Sequence, residues 1–308
     1  MPWDTRESLR LDDVELAYRV VGDGPEAVVL AHGWPQTHAC WRHVVQPLSP
    51  GRTLIVPDLR GYGDSGLARS GDYDKRATAA DLSALVHHLG FGSATVIGHD
   101  RGARVAHRWA LDHPDEVDAL VLLDILPTRV VMDAFDRDSA SAMWHWLFHR
   151  NPDLAATLVH GNVEAYLRHF FARVLDTGAV DAATFAHYVS AFSDPAHLRA
   201  SFEDYRTGFT TDLDRDHADH ERGLRVRAPL LVLWGADGGL GGSDVVGVWR
   251  EHHADPAAVR GHAVRGGHYV PEEAPADVVR AVAAFLDAAR AAQTAVRPPS
   301  TSTSTPVT

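Results

Sequence analysis

Asp100 lies in the pattern Gly98-x-Asp100-x-Gly102, between a β-branched apolar run and the start of an amphipathic helix. This is the tight strand-to-helix turn that exposes a nucleophile, with aspartate where serine often stands. The flanking glycines suit a turn that leaves no room for Cβ atoms, and the helix N-terminus favours an anion. A carboxylate there is ionised at neutral pH and can attack a saturated carbon directly, giving an alkyl ester. Taken alone, the stretch also fits an Asp that caps an ordinary helix.

Two further kinds of polar residue follow predicted strands. His268 stands in Gly-Gly-His after a weak strand, and Asp124 ends the strand that follows the Asp100 helix. Because ligands bind at the carboxyl ends of parallel strands, His268 can take a proton from water while an acid orients its ring. Asp237 follows the next strand, and the residues alone leave the choice between Asp124 and Asp237 open.

The segment His32-Gly33-Trp34-Pro35 follows another predicted strand and belongs at the same edge of the sheet. The backbone N–H groups of Trp34 and Arg101 can both point at the Asp100 carboxylate. They would stabilise the negative charge of a tetrahedral intermediate when water opens the ester.

The elements that carry these residues alternate between strand and helix, which predicts an α/β protein with a mostly parallel, doubly wound sheet. Apolar runs predict strands at residues 14–20, 27–31, 53–56, 94–97, 119–124 and 229–235, with a weaker one near 263–264. Amphipathic patterns predict helices at residues 78–89, 101–113 and 276–292. After Ile125 the alternation stops and mostly helical, aromatic-rich sequence follows, which predicts a helical cap inserted between two strands.

The predicted organisation is a core of residues 1–126 and 224–293, a helical cap of 127–223, and a disordered Pro/Ser/Thr-rich tail of 294–308. The acidic stretch Asp212–His220 predicts a solvated connector, because it lacks the glycine and the terminal Glu of a calcium loop. The adjacent pair His252-His253 is likewise interpreted as solvated.

Charge narrows the class of partner. Lys and Arg number 29 against 41 Asp and Glu, a net charge of −12, which argues against nucleic acid or an anionic membrane as partner. An anionic substrate would therefore need locally clustered cations. The single cysteine, Cys40, excludes an intrachain disulfide and favours a reducing cytoplasm. The N-terminus has no apolar signal core and no apolar run is long enough for a bilayer, so we expect a cytoplasmic protein.

The chain resembles fluoroacetate dehalogenases, the haloacetate-specific branch of the α/β-hydrolases, from about residue 14 to residue 286. The resemblance is carried by HGWPQTH at 32–38, GHDRGAR at 98–104, LDILPT at 123–128, HW at 145–146, EDYR at 203–206 and GHYVPEE at 267–273. The first motif is shared with epoxide hydrolases. Asp-Arg-x-x-Arg combined with a cap His-Trp and a cap Tyr is much more specific.

The resemblance implies the α/β-hydrolase fold and a hydrolytic dehalogenase without cofactor or metal. It makes Asp100 the nucleophile, His268 the base and Asp124 its acid partner, which leaves Asp237 a loop residue. The substrate would be a small anionic 2-halo acid: fluoroacetate or chloroacetate would give glycolate and halide through an ester on Asp100. The family often forms homodimers.

The resemblance also assigns the binding residues. Arg101 and Arg104 match two arginines that hold the substrate carboxylate; they lie at i and i+3 on one helix face, and guanidinium grips carboxylate bidentately. His145, Trp146 and Tyr205 match the halide pocket, and all three side chains can donate hydrogen bonds. A leaving fluoride needs donors whose hydrogen bonds strengthen as charge builds on it.

Two alternative functions remain open. An epoxide hydrolase would use the same nucleophile and commonly two cap tyrosines, for which Tyr205, Tyr166 and Tyr188 are the candidates. The arginine pair at 101 and 104 has no role with a neutral epoxide, which argues against this alternative. A hydrolase-fold binding protein with an idle site is the second alternative, and the joint presence of nucleophile, base and acid argues against it.

Overall fold

The computed structural model describes residues 5–296. Its strands are β1 Glu7–Arg10, β2 Glu15–Val21, β3 Glu26–Ala31, β4 Arg52–Pro57, β5 Ala94–His99, β6 Val117–Leu123, β7 Leu230–Gly235 and β8 Val259–Val264. Over the described residues these strands form one eight-stranded sheet, in the order β1-β2-β4-β3-β5-β6-β7-β8. β2 pairs antiparallel with β1 and β4, whereas every pairing from β4 through β8 is parallel. The predicted mostly parallel α/β sheet is confirmed.

Helices connect the strands. Those of the first part are α1 Val45–Leu48, α2 Lys75–His88 and α3 Arg101–Asp112, with a 3₁₀ turn at His38–Trp41. Between β6 and β7 lie α4 Thr128–Asp133, α5 Arg137–Ala142, α6 Trp144–His149, α7 Pro152–Val159, α8 Val163–Asp176, α9 Ala182–Ser193, α10 Pro195–Gly208 and α11 Thr211–Glu221. After β7 come α12 Val245–Glu251, α13 Val270–Glu273 and α14 Pro275–Val296. None of these helices in the described part of the chain is long and apolar enough to cross a membrane.

Helices cover both faces of the sheet, and successive side chains of a strand point to opposite faces, so each strand contributes to both cores. On one face Val29 of β3 belongs to a core that includes Leu82 of α2 and Trp109 of α3. On the other face Leu30 joins a core with Val282 of α14. Burial on both faces explains why the central strands read as continuous apolar runs in the sequence.

The helices α4 to α11 occupy the segment 127–223 for which the sequence predicts helical structure. We retain the division into a core and an inserted cap as our proposal. Helix α14 extends to Val296, so residues 294–296 are helical where the sequence predicts the start of a disordered tail. The rest of that predicted tail, 297–308, lies outside the described residues.

The solvated connector predicted at Asp212–His220 is wrong, because these residues form most of α11 and pack on the core. The Asp212 carboxylate accepts the Lys75 backbone N–H at 2.9 Å, and Asp219 lies 2.5 Å from the Arg108 guanidinium. The buried face of α11 carries ion pairs instead of apolar side chains, so hydrophobic periodicity could not reveal it.

The pair His252-His253 is buried, which contradicts the solvated interpretation. His253 donates from Nε2 to the Ala228 carbonyl at 2.8 Å and accepts the Asp255 backbone N–H at Nδ1. The imidazole satisfies both ring nitrogens with backbone groups, which allows a polar side chain to be buried at low cost.

Candidate active site

Asp100 occupies a strained turn at the carboxyl end of β5. Its backbone has φ 50° and ψ −114°, a left-handed conformation that non-glycine residues rarely adopt and that is frequent at functional sites. A Cβ at Gly98 would lie 2.5 Å from Ala103 Cα, and one at Gly33 would lie 2.4 Å from Asp100 Cβ. Glycine at these two positions therefore permits the sharp turn and the close approach of the 32–38 loop.

The Asp100 carboxylate is fixed by two neighbours. Oδ1 accepts the Trp34 backbone N–H at 2.9 Å, and Oδ2 lies 3.6 Å from His268 Nε2. Burial would raise the pKa of Asp100, but the charges of His268 and Arg101 outweigh it, so that the pKa is lowered. Among the described residues, no hydrogen bond joins the Arg101 backbone N–H to this carboxylate. Of the two predicted oxyanion donors, the Trp34 N–H is the one hydrogen-bonded to Asp100 among the described residues, and the role of the Arg101 N–H stays a prediction.

The structure brings Asp124 to His268. Asp124 Oδ2 lies 2.6 Å from His268 Nδ1, and its Oδ1 accepts the Gly235 backbone N–H at 3.0 Å. Asp237 lies instead in an exposed ion pair with Arg173, at 3.1 Å. The geometry therefore favours Asp124 over Asp237 as the partner of His268.

His268 is held as a cation in this arrangement. Burial lowers the pKa of His268, but the hydrogen bond and charge of Asp124, together with the charge of Asp100, outweigh burial and raise it to about 9. A neutral imidazole, as a base requires, therefore needs a change in the charge around the ring.

Arg101 is bound by a carboxylate of its own protein. Its Nε lies 2.9 Å from Asp204 Oδ2, and its Nη2 donates to the Asp204 carbonyl at 2.5 Å. Asp204 also accepts Lys75 Nζ and the Tyr62 hydroxyl. Burial lowers the pKa of Arg101, but the charges of Asp204 and Tyr205 outweigh it, so that the pKa is raised. Arg101 is thus already paired with a carboxylate of α10, which it shares with Lys75.

Arg104 has a different environment, although it is also buried. Its Nη1 donates to the Thr128 hydroxyl at 2.9 Å and to the Leu126 carbonyl at 3.3 Å. Over residues 5–296 no carboxylate lies within ion-pair distance, and Nε has no hydrogen-bond partner. Burial and the charge of Arg101 lower the pKa of Arg104 to about 10. Arg104 is a buried cation whose guanidinium hydrogen bonds go to neutral oxygens, while the carboxylate charges of Asp100 and Asp216 act on it from beyond ion-pair distance.

The predicted halide donors form one aromatic cluster, and the charge of Asp100 acts on two of its members, His145 and Tyr205. The Tyr205 ring lies 5.9 Å from Trp146 and 6.0 Å from His145, measured between centroids. His145 stacks on Trp34 at 5.9 Å, and Arg104 Cζ lies 5.0 Å from the Trp146 ring. Burial lowers the pKa of His145 to about 4 and raises the pKa of the Tyr205 hydroxyl. Both side chains are neutral hydrogen-bond donors at ordinary pH.

Comparison of the sequence with known protein families identifies a family with this fold. The family described as alpha/beta hydrolase fold matches this sequence over residues 26–275. The chain belongs to the α/β-hydrolase family. This α/β-hydrolase is 36% identical to a fluoroacetate dehalogenase of Burkholderia sp over 92% of its own length and 94% of the relative's. It is 34% identical to a soluble epoxide hydrolase of Corynebacterium sp. (strain C12) over 92% and 97%.

A solved structure gives the same fold. A candidate α/β hydrolase from Nostoc sp PCC 7120 superposes on this hydrolase with a TM-score of 0.86 and 38% sequence identity, covering 92% of this chain and 97% of that one. The two activities named among the relatives are close in identity, so they establish a hydrolase of this family but do not choose between a dehalogenase and an epoxide hydrolase.

Three residues near the site of this hydrolase escaped sequence reasoning: His99, His149 and Asp204. His149 is fully buried, stacks on Phe202 with centroids 4.0 Å apart, and lies 2.7 Å from the Tyr166 hydroxyl. Its position four residues after His145 was the available signal, since i and i+4 share a helix face.

A possible metal group in the described chain consists of His38, Asp58 and Asp64. The Arg19 guanidinium lies 3.2 Å from Asp58 and 2.5 Å from Asp64, and His38 Nδ1 lies 2.9 Å from Asp58. The cation that these carboxylates bind in this hydrolase is therefore an arginine side chain.

Proposed function

We propose that this α/β-hydrolase is a haloacetate dehalogenase that uses no cofactor and converts fluoroacetate or chloroacetate to glycolate and halide. One observation carries the proposal: Arg104 is a buried cation beside the nucleophile without a carboxylate partner among the described residues. Burying an unpaired charge is costly. A small substrate carboxylate would supply the missing countercharge, and a neutral substrate would not.

In the first step Asp100 Oδ2 attacks the α-carbon in line with the carbon–halogen bond. The new C–O bond forms as the halogen leaves with the bonding electron pair, and Oδ1, which accepts the Trp34 N–H, becomes the ester carbonyl oxygen. Halide leaves toward the N–H and O–H donors of His145, Trp146 and Tyr205. These hydrogen bonds strengthen as charge builds on the halogen, so they act mainly in the transition state.

In the second step His268 Nε2 takes a proton from water, and the water oxygen attacks the Asp100 carboxyl carbon. Trp34 N–H stabilises the charge that develops on Oδ1, while Asp124 stabilises the imidazolium. The intermediate breaks its Cγ–Oδ2 bond, and the departing glycolate oxygen takes the proton from His268. Asp100 is regenerated with one oxygen from water, and the remaining proton of that water leaves its carboxyl group for solvent.

Alkylation of Asp100 also prepares the base. The Asp100 charge is one of the causes that raise the pKa of His268, and the ester carries no charge. The pKa of His268 therefore falls once the ester has formed, which increases the fraction of neutral imidazole when a base is needed.

The epoxide hydrolase alternative has weaker support from the tyrosines. Tyr188 donates its hydroxyl to Glu272 at 2.8 Å and is buried. The Tyr166 hydroxyl lies 2.7 Å from His149 Nε2. Of the two other cap candidates in the described chain, neither tyrosine is therefore left free as a partner of Tyr205 for epoxide protonation. A binding protein with an idle site is disfavoured by the short contact between His268 and Asp124.

Halide release separates the three functions. Purified protein would be given fluoroacetate, chloroacetate and a neutral epoxide, with an ion electrode for halide and chromatography for diol. We expect halide and glycolate from the haloacetates and no diol. Arg104→Met should abolish most halide release, whereas the control Arg76→Met removes an exposed cation outside the site and should change nothing. Diol without halide would establish the epoxide hydrolase. If neither diol nor halide is formed, the result would favour the binding protein.

A further inference from the structure

His99, the residue before the nucleophile, contacts the loop that carries the base. Its side chain is fully buried, and its Nε2 lies 2.7 Å from the backbone carbonyl oxygen of His268. The two imidazole rings pack with centroids 4.9 Å apart at 43°. His99 therefore touches both the backbone and the side chain of the residue to which we assign the proton transfer.

The contact fixes the tautomer of His99. A carbonyl oxygen only accepts, so Nε2 must carry the hydrogen and donate it. Nδ1 is then bare, and it has no hydrogen-bond partner among the residues that the structure describes. Burial and the nearby charge of His268 lower the pKa of His99 to about 4. His99 is therefore a neutral donor, which can lie beside the His268 imidazolium without adding a second charge.

The loop needs such a support. His268 lies between β8 and α13, where Gly266 has φ 115°. The Glu273 carboxylate accepts the backbone N–H groups of Gly267 at 2.9 Å and Tyr269 at 3.0 Å. These contacts hold the loop from the α13 side. His99, at the end of β5, holds it from the side of the nucleophile.

We propose that His99 is a positioning residue for the general base: its Nε2–H holds the His268 backbone so that the imidazole reaches both Asp124 and Asp100. The inference rests on the proposed dehalogenase function. Because His268 acts only when the ester is opened, loss of the His99 donor should slow ester hydrolysis and spare alkylation. A misplacement of about 1 Å in an active site can cost on the order of a hundredfold in rate.

A matched pair of variants separates the donor from the shape of the side chain. His99→Gln keeps an N–H at the ε position, whereas His99→Met has similar length and no donor. We expect His99→Met to release a first burst of about one halide per active site and then turn over at least tenfold more slowly than wild type, with an accumulated ester on Asp100. His99→Gln should recover most of the turnover.

A matched control is available at His253, a buried histidine outside the site that also donates from Nε2 to a backbone carbonyl. His253→Met should leave both the burst and the turnover unchanged. Turnover of His99→Met within twofold of wild type, or equal losses for His99→Met and His99→Gln, would overturn the proposal.

Nitrogen-15 NMR of histidine-labelled protein without substrate gives a readout independent of activity. In wild type, His99 should stay neutral with hydrogen on Nε2, and His268 should titrate with a pKa of about 9. In His99→Met the pKa of His268 should fall toward the ordinary value of about 6.5 as contact with Asp124 loosens. An unchanged titration of His268 in a folded His99→Met would contradict the proposal, and hydrogen on His99 Nδ1 in wild type would contradict it even if the Met variant did not fold. Absence of halide release from wild type would instead refute the dehalogenase function.

Discussion

The two sides of the active site are held in place by different means. On the core side Asp100 and Asp124 both adopt positive φ, 50° and 55°. The Asp100 carboxylate accepts a backbone N–H of the loop after β3, and that of Asp124 accepts the N–H of Gly235 at the end of β7. On the opposite side the rings of His145, Trp146 and Tyr205 are placed by packing against one another and against Trp34. Backbone strain and hydrogen bonds permit one arrangement, whereas aromatic packing tolerates small adjustments. Changes on the core side should therefore remove a whole step, and changes among the rings should have graded, substrate-dependent effects.

His268→Asn is expected to give the largest effect on turnover, because it removes the base and leaves alkylation intact. The variant should release about one halide per active site and then stall, by the logic of covalent catalysis. Steady turnover should fall by roughly 10³-fold or more, the scale seen when a general base is lost.

Intact mass spectrometry after chloroacetate treatment of this variant should show a carboxymethyl adduct on the peptide that contains Asp100. An unmodified protein without a halide burst would mean that His268 acts in the first step. An adduct on Cys40 would mean simple thiol alkylation and would contradict the mechanism.

Arg104→Lys tests carboxylate binding on the core side, since it keeps the charge and removes the planar fork of the guanidinium. We expect a loss of about 2 kcal/mol in transition-state binding, roughly 30-fold in kcat/KM for haloacetate, the scale of a charged hydrogen bond in a closed site. A change below twofold would argue that the substrate carboxylate lies elsewhere.

Tyr205→Phe and Trp146→Phe test the ring cluster. Fluoride leaves with more localised charge than chloride and gains more from each donor, so kcat for fluoroacetate should fall more than kcat for chloroacetate. We expect about a tenfold loss on fluoroacetate, near the value of one hydrogen bond to a charged group. Equal losses on both substrates would indicate a packing role instead of halide binding.

The rates of alkylation and of ester hydrolysis should respond differently to pH, with a smaller effect than the substitutions above. The pKa of His268 is raised to about 9 in the free protein and falls when the Asp100 charge is lost in the ester, so at the hydrolysis step the fraction of neutral imidazole still increases as pH rises. Ester hydrolysis, followed by rapid quenching, should therefore accelerate several-fold between about pH 6 and about pH 8. Halide release in the first turnover should stay nearly constant, because the pKa of Asp100 is lowered. A first turnover with the same slope as hydrolysis would contradict this separation.

The parts of the structure that the sequence predicts well are those determined by residues close together in the chain. The buried strands and the turn around Asp100 have local signals, and both were predicted closely. β1 is a short, mostly exposed edge strand, and β8 carries several exposed residues, so neither gave a strong apolar pattern. The cytoplasmic location and the homodimer remain predictions.

In the active site, too, contacts between residues far apart in the chain could not be predicted from the sequence. The pairing of Arg101 with Asp204 spans 103 residues, and neither partner reveals the other locally. The choice between Asp124 and Asp237 likewise needs the three-dimensional position of His268. The hydrogen bond from His99 to the His268 carbonyl has a backbone acceptor, and every residue carries such an acceptor, so no sequence pattern predicts it.

A single turnover in heavy-oxygen water tests the nucleophilic role of Asp100 most directly. With enzyme in excess over chloroacetate, we expect the water label to enter the Asp100 carboxylate while the first glycolate is unlabelled, because its hydroxyl oxygen comes from Asp100. Digestion and mass spectrometry would locate the label on the peptide that holds residues 94–104. Label in the glycolate of the first turnover, with Asp100 unlabelled, would mean that water attacks the carbon directly and would contradict the mechanism.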